Sequence, residues 1–163
     1  MASILETYRA VSFGRTYLLD ALSRVTHDML DFRPLDLTDG RLYSLREQFL
    51  HIADIGEMFI HHSILGQEMP GSEWRIQRAE DGSWSLARQW PTVASVREEL
   101  ERSWAFQDEH VFNRSSAHLI DTELKDGRNT LAGLVGWLIC HESQHRGQVM
   151  MYLRMAGVEP PDW

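Results

Sequence analysis

The chain has 163 residues, of which 43% are hydrophobic and 25% charged, and its formal net charge is −8. This balance is typical of a globular protein with a full hydrophobic core, and we expect residues 1–163 to form a single domain. The acidic charge and the lack of a Lys and Arg cluster argue against a nucleic-acid-binding protein, because phosphate contacts need clustered cations.

Cysteine content and the N-terminus indicate the compartment. Cys140 is the single cysteine, so no intrachain disulfide can form and we expect a reducing, cytoplasmic location. The N-terminus lacks a basic start followed by a long apolar run, which predicts that there is no signal peptide. No apolar stretch approaches the roughly 20 residues that a transmembrane helix needs, so we expect no membrane partner.

Apolar residues at spacings of three, four and seven predict two helices in the first half of the chain. The first helix spans about residues 3–31, and Pro34 lies just beyond its expected end. The second helix spans about residues 44–65, and Gly66 is a plausible C-terminal cap. Two S-x-x-E capping boxes mark the predicted starts, namely Ser3 with Glu6 and Ser44 with Glu47.

Two more helices are predicted in the second half of the chain by the same periodicity. The third spans about residues 92–115, and the fourth spans about 130–155 and closes at Gly157. Since apolar and polar residues alternate over no useful length, we expect few or no strands. Four long amphipathic helices without a sheet predict an all-α fold, a four-helix bundle.

The connection over residues 66–90 is longer than the usual link between bundle helices. It contains Trp74, Trp84 and Trp90. Such an aromatic connection is compatible with a lid or an interface. At least equally favoured is the interpretation that the tryptophans fold back and seal the end of the bundle.

Two histidines, His141 and His145, lie four residues apart on the predicted fourth helix, in the stretch HESQHRGQ. Four residues correspond to about 400° of rotation, so the two imidazoles point the same way, one turn apart. Leu138 and Val149 continue their row, which places the pair on or beside the core-facing stripe. A shared metal ion is favoured over hydrogen bonding to neighbours, because inward imidazoles need partners.

The same stretch reads H-E-x-x-H, the helical zinc signature of many metalloproteases. A metzincin would place further residues of its signature where Gln148 and Met151 stand. A thermolysin-like enzyme needs a glutamate from a later helix, and the chain beyond His145 offers only Glu159, in a Pro-rich tail. Glu142 is rotated about 100° from His141 and need not face a metal. We therefore interpret the protease match as coincidental.

An upstream histidine is the better candidate for a third ligand. His51 lies in FLHIADIGEMF, close to the apolar stripe of the predicted second helix. In an up-down-up-down bundle the second and fourth helices can face each other across the core, so His51, His141 and His145 could meet around one ion. The other histidines lack metal spacing and are interpreted as solvated or locally hydrogen-bonded: His27, His61, His62, His110 and His118.

Three features together resemble one known family over nearly the whole chain. They are the first helix, the early histidine of LHIADIGEMFIHHSILG, and the ending HESQHRGQVMMYLRMAGVEPPDW. They resemble the DinB/YfiT-like superfamily of damage-inducible small proteins. The ending is the most specific part, and the region 66–90 matches only loosely. Many members carry a further histidine before the last ligand, where this chain has Gln144, which alters the outer shell of the site or the pocket rim.

The resemblance implies a four-helix bundle that binds a divalent metal, zinc or nickel, through His51, His141 and His145. Some relatives are metal-dependent thiol S-transferases or isomerases that use a low-molecular-weight thiol on a small-molecule substrate. That chemistry is reasonable, because a metal with an open position lowers the pKa of a bound thiol. A homodimer is also expected, since the first and fourth helices of such bundles offer long apolar faces.

Two further functions stay open beside the thiol transferase. One is a non-catalytic metal-binding stress protein, and the other is a metal-dependent hydrolase in which bound water attacks. An open coordination position beside a pocket would favour either enzyme.

Three residues near the candidate ligands have predicted roles of their own. Arg146 is interpreted as an ion-pair partner in preference to a substrate ligand. Gln148 is interpreted as a hydrogen-bond partner of a ligand, and Cys140 as a small buried residue.

Overall fold

Four long helices and one short β-hairpin make up the described part of the chain, which confirms the expected all-α bundle. The structure, a computed structural model, describes residues 4–34, 42–113, 124–126 and 130–162. Within these ranges, no helix combines the length and apolar character needed to cross a membrane. The elements are α1 (Ile4–Ser23), α2 (Leu45–Phe59), β1 (Ile76–Arg78), β2 (Trp84–Leu86), α3 (Val93–Asn113) and α4 (Leu131–Met155).

The predicted helix caps are present where the structure describes them. The Ser44 side chain accepts a hydrogen bond from the Glu47 backbone N–H, and the Glu47 carboxylate accepts one from the Ser44 N–H. A π-helical segment, Ile60–Leu65, continues α2 to Gly66, whose φ of 70° lies in the left-handed region that favours glycine. The predicted box at Ser3 lies outside the described residues, as do residues 114–115 of the third predicted helix.

The first helix ends at Ser23, so the prediction that it continues to residue 31 is wrong. A 3-10 turn, His27–Met29, follows it. Val25 and Leu30 are nevertheless buried, because this segment folds back over the start of α2. Buried apolar residues thus continue at helical spacing beyond the end of the helix. Periodicity alone therefore cannot show where the helix ends.

The helices pack in the ring order α1, α4, α2, α3, with α3 returning to α1. The second and fourth helices are therefore direct neighbours instead of facing each other across the core. That arrangement brings the side chains of α2 and α4 together along a shared face.

The connection from α2 to α3 forms the antiparallel hairpin β1–β2, with Gln77 opposite Ser85. Trp90 is buried in the main core and Trp84 packs against it, so these two tryptophans fold back on the bundle. The anchor of this connection is Arg75, whose side chain is completely buried. Its guanidinium contacts three carboxylates, on Asp54 at 2.9 Å and on Glu57 and Glu99 at 2.7 Å.

A layer of buried polar side chains separates two apolar clusters of the core. Along α4, residues up to Leu138 belong to one cluster and residues from Val149 onward belong to the other. The interval between them holds His141, Glu142 and His145. Neighbouring helices add polar groups at the same level, namely Arg15 of α1, Asp54 and Glu57 of α2, and Ser103 and Gln107 of α3.

Candidate metal centre

Three histidines, His51 of α2 and His141 and His145 of α4, converge at the polar layer. Each offers one ring nitrogen, and these nitrogens all lie within 4.8 Å of one another. The ring centroids are 5.4 Å apart for His51 and His141, 4.7 Å for His51 and His145, and 4.5 Å for His141 and His145. The structure therefore brings together all three residues that the sequence predicted as ligands.

Two of the three rings are held by hydrogen bonds on their outer side. Nδ1 of His51 lies 3.1 Å from the Tyr43 hydroxyl, and Nδ1 of His145 lies 2.9 Å from the Gln48 side-chain oxygen. With Nδ1 engaged in each case, Nε2 is the nitrogen left for a ligand. Such outer partners fix the orientation and tautomer of metal-binding histidines. Sequence reasoning missed Tyr43 and Gln48; the only signal was that Gln48 stands one turn before His51.

An unpaired nitrogen indicates that these residues fit a cation. Nε2 of His141 is buried and has no hydrogen-bond partner in the described part of the chain. A buried polar atom without a partner is costly, and a metal ion in the centre of the cluster would remove that cost. Imidazole donors suit zinc, copper, iron and nickel, so the donor set fits a divalent transition metal.

The imidazoles are kept neutral, which is the form that binds metal. Burial, together with a smaller effect of the nearby His145, lowers the pKa of His51 to about 4. Burial, with smaller effects of His145 and His51, likewise lowers the pKa of His141 to about 3. Burial also lowers the pKa of His145. Few protons would therefore have to leave the folded protein when a metal binds near neutral pH.

Glu142, the glutamate of the H-E-x-x-H match, is bound to Arg15 of α1. The Arg15 Nε donates to both carboxylate oxygens of Glu142, at 3.2 Å and 3.3 Å, and the pair is buried. Burial raises the pKa of Glu142, and Arg15 opposes that shift. The same guanidinium contacts Asp108 at 2.7 Å and Tyr8 at 3.1 Å. Glu142 is thus committed to a structural ion pair between helices.

Three other residues, close to the histidines in the sequence, are not part of the histidine cluster. The Arg146 side chain lies against Gly14 of α1, and its charge lowers the pKa of Glu142, in keeping with the favoured ion-pair role. Gln144 is exposed. Cys140 is exposed, so the expectation of a buried cysteine is wrong. Its position on the outer face of α4 explains this, since it is rotated about 100° from His141.

The remaining described histidines take no part in the cluster. His61 is buried and bonded locally, with Nε2 3.1 Å from Glu73 and Nδ1 3.2 Å from Gln67. His110 bonds to the Phe106 carbonyl oxygen at 2.8 Å. His27 and His62 are exposed, and His118 lies outside the described residues. For those described, the interpretation as solvated or locally hydrogen-bonded is confirmed.

A cavity of about 470 Å³ reaches the histidine cluster at His145. Tyr43 and Gln48, the two outer partners of the histidines, also line it. Above Tyr43 the hairpin closes one side, because the Trp84 and Tyr43 ring centroids are 4.7 Å apart and those of Tyr43 and His51 are 4.7 Å apart. The site therefore combines three imidazoles, two orienting groups and an adjacent space for a small molecule.

Comparison with known families identifies the family of the chain. The family model described as the DinB family matches the chain over residues 1–163. None of the curated proteins with which the chain was compared matches it. The chain belongs to the DinB family, as the resemblance of its ending and of its early histidine predicted.

Proposed function

We propose that this member of the DinB family binds one divalent metal ion, zinc or nickel, through His51, His141 and His145. The observation that carries the proposal is the convergence of three ring nitrogens within 4.8 Å, one of them buried and without a partner in the described residues. Structural zinc sites usually have four protein ligands, whereas catalytic sites have three and an open position. Among the described residues the group comprises three ligands.

We further propose that the site performs metal-dependent thiol S-transfer or isomerisation on a small molecule. A metal at the three histidines supplies Lewis acidity and lowers the pKa of a coordinated low-molecular-weight thiol. Tyr43 and Gln48 keep the His51 and His145 rings in their binding orientation. The hairpin limits access of water on the Trp84 side, and the cavity at His145 gives the substrate its space.

The open position and the cavity favour an enzyme over a non-catalytic metal-binding protein. A hydrolase is less well supported, because hydrolysis by bound water usually uses a general base. Glu142, the nearest candidate in the sequence, is held by Arg15. Thiol chemistry needs no such base, since the metal itself favours the thiolate.

The test is elemental analysis of the purified protein without a histidine tag, beside two variants. His141→Ala removes the candidate ligand whose Nε2 has no partner among the described residues, and His62→Ala removes an exposed histidine in the π-helical segment that continues α2. We expect one metal per chain in the wild type and in His62→Ala, and none in His141→Ala. Equal metal content in both variants, or no metal and no thermal stabilisation of the wild type by zinc or nickel, would reject the site.

A homodimer remains a prediction. The outer face of α4 exposes two large apolar residues, Trp137 at 56% and Met151 at 60%. Sedimentation equilibrium of the wild type and of Trp137→Lys tests it. A dimer that dissociates in the variant supports pairing through α4, and a monomeric wild type rejects pairing.

A further inference from the structure

The cavity beside His145 has a buried end and an open end. His145 and Tyr152 are 7% and 8% exposed, whereas Met151 and Met155 are 60% and 49% exposed. A molecule that fills the cavity would therefore place one end against the histidine cluster and pass between methionines towards the solvent. Methionine side chains are flexible and polarisable, which suits contact with apolar ligands of varied shape.

The described lining of this cavity carries no formal charge. None of its residues is Asp, Glu, Lys or Arg. Four described charged residues stand next to lining positions in the sequence. Arg146, beside His145, lies against Gly14 of α1, and Arg154, beside Met155, is exposed. The other two are Arg33 beside Pro34 and Glu47 beside Gln48. They neutralise each other, because Arg33 Nη1 lies 2.8 Å from the Glu47 carboxylate. A carboxylate inside the cavity would thus lose hydration without gaining a cationic partner from these residues.

Three polar residues of the lining, Tyr43, Gln48 and Tyr152, already have hydrogen-bond partners. Gln48 contacts His145 through its oxygen and donates to the Tyr152 hydroxyl through its nitrogen at 3.3 Å. The Tyr152 hydroxyl in turn donates to the Tyr43 carbonyl oxygen at 3.1 Å. The Gln148 side-chain oxygen differs from these groups. Gln148 lies close enough to His145 to raise the pKa of that histidine, which burial lowers, yet its oxygen is buried and makes no hydrogen bond of good geometry to a described residue. An amide oxygen accepts only, so it needs a donor.

We propose that the cavity binds an uncharged, largely apolar small molecule that donates one hydrogen bond, from O–H or N–H, to the Gln148 oxygen. That such a molecule reacts at the His145 end rests on the proposed function; that it binds does not. For thiol transfer, the molecule in this cavity is a neutral apolar substrate instead of a carboxylate-bearing thiol. The three supporting observations are the lack of formal charge in the described lining, the exposed methionines, and the Gln148 oxygen that makes no hydrogen bond of good geometry to a described residue.

Three matched probes test this selectivity in a ligand-observed NMR titration. They are 3-(2-naphthyl)propan-1-ol, its methyl ether and 3-(2-naphthyl)propanoate. The titration uses the purified protein with measured metal content and the same protein after EDTA treatment, since a bound metal could itself attract the carboxylate. After EDTA we expect the alcohol to bind at least about tenfold more tightly than the carboxylate, which would bury an unpaired charge. We expect it to bind about fivefold more tightly than the ether, which lacks the donor.

Three variants test whether the alcohol binds in this cavity. Met151→Glu places a charge in the lining, and Gln144→Glu places one at an exposed position of α4 that does not line the cavity. We expect Met151→Glu to weaken alcohol binding about tenfold and Gln144→Glu to change it less than twofold. Gln148→Leu should abolish the difference between the alcohol and the ether, because it removes the acceptor while preserving size.

The outcomes separate this inference from the metal site. Alcohol binding that depends on Met151, in a protein that contains no metal as purified and gains no thermal stability from zinc or nickel, supports the cavity and rejects the proposed function. A metal-loaded protein whose EDTA-treated form binds the carboxylate as tightly as the alcohol overturns the inference and leaves the metal site intact. Equal effects of Met151→Glu and Gln144→Glu would also overturn it.

Discussion

The Nδ1–H of His145 donates a hydrogen bond to the side-chain oxygen of Gln48 over 2.9 Å, from α4 to α2. The direction follows from chemistry, because an amide oxygen can only accept. The bond therefore fixes the tautomer of His145 that leaves Nε2 as the ligand atom. It also ties together the two helices that supply the three histidines.

Gln48→Leu should weaken metal binding without abolishing it. Loss of an outer partner typically lowers metal affinity about 10-fold to 100-fold, because the imidazole is no longer held in one orientation. Competition with a chromophoric chelator measures this directly. Gln144→Leu, an exposed glutamine on α4, is the control and should keep wild-type affinity. Equal affinities in Gln48→Leu and the wild type would show that the hydrogen bond does not orient His145.

The metal-free protein should lose stability as the pH falls below about 6.5. The folded protein keeps the pKa of His51 near 4 and that of His141 near 3, against an ordinary value of 6.5. Below 6.5 the unfolded chain takes up protons that the folded chain does not, so the free energy of unfolding decreases towards pH 4. Above 6.5 these histidines add no pH dependence.

Urea denaturation after EDTA treatment measures the free energy of unfolding at pH values of about 7.5, 6.0 and 5.0, which span the range over which these histidines titrate in the unfolded chain. The change of that free energy with pH checks the prediction. His51→Gln should be less sensitive to pH than the wild type, because it removes one of the groups that titrate differently in the two states. His62→Gln, which alters an exposed histidine, should follow the wild type. Parallel profiles for His51→Gln and the wild type would contradict the prediction.

Arg75→Met should destabilise the protein by about 3–5 kcal/mol, since it leaves buried carboxylates without their counter-ion. Asp54 and Glu57 are both nearly inaccessible and both contact this guanidinium. Arg88→Met is a matched control, because Arg88 also approaches Glu99 but is exposed, and its loss should cost less than about 0.5 kcal/mol. Chemical denaturation gives both values, and similar losses in the two variants would argue against Arg75 as the anchor of the hairpin.

Glu142→Ala should destabilise the fold by about 3 kcal/mol while the folded protein still binds one metal per chain. The substitution removes one partner of the buried Arg15 and no metal ligand. Denaturation and elemental analysis together separate the two effects. Glu101→Ala, which breaks an exposed ion pair with Arg97, should leave both properties nearly unchanged. A stable Glu142→Ala variant that has lost its metal would instead assign this glutamate to the metal centre.

Local sequence signals predicted the features that depend on neighbours along the chain. The capping box of Ser44 and Glu47 needs only residues three apart, and the i, i+4 spacing places His141 and His145 on one face of any helix. His51 was also identified, because it lies beside the apolar stripe of its own helix. The candidate ligands were therefore predictable before any tertiary contact was known.

Features that depend on distant residues were missed or predicted wrongly. Arg75 can be buried because carboxylates of α2 and α3 contact it. These partners are distant in the sequence, so the residues next to Arg75 do not predict its burial. The commitment of Glu142 to Arg15 joins residues 127 positions apart. The early end of α1 was hidden because Val25 and Leu30 stay buried after the helix has ended. The two strands, of three residues each, were too short to show an alternating pattern.

The sequence by itself determined that the chain forms four amphipathic helices and carries three histidines with the spacing and facing of metal ligands. Hydrophobic periodicity and capping are local, so they survive without knowledge of the packing. Only the tertiary structure decided that α2 and α4 are neighbours, that Gln48 orients His145, and that a cavity whose described lining carries no formal charge reaches that histidine. Each of these properties depends on contacts between side chains of different helices. Helix packing, which the local sequence pattern does not specify, decides which side chains are in contact.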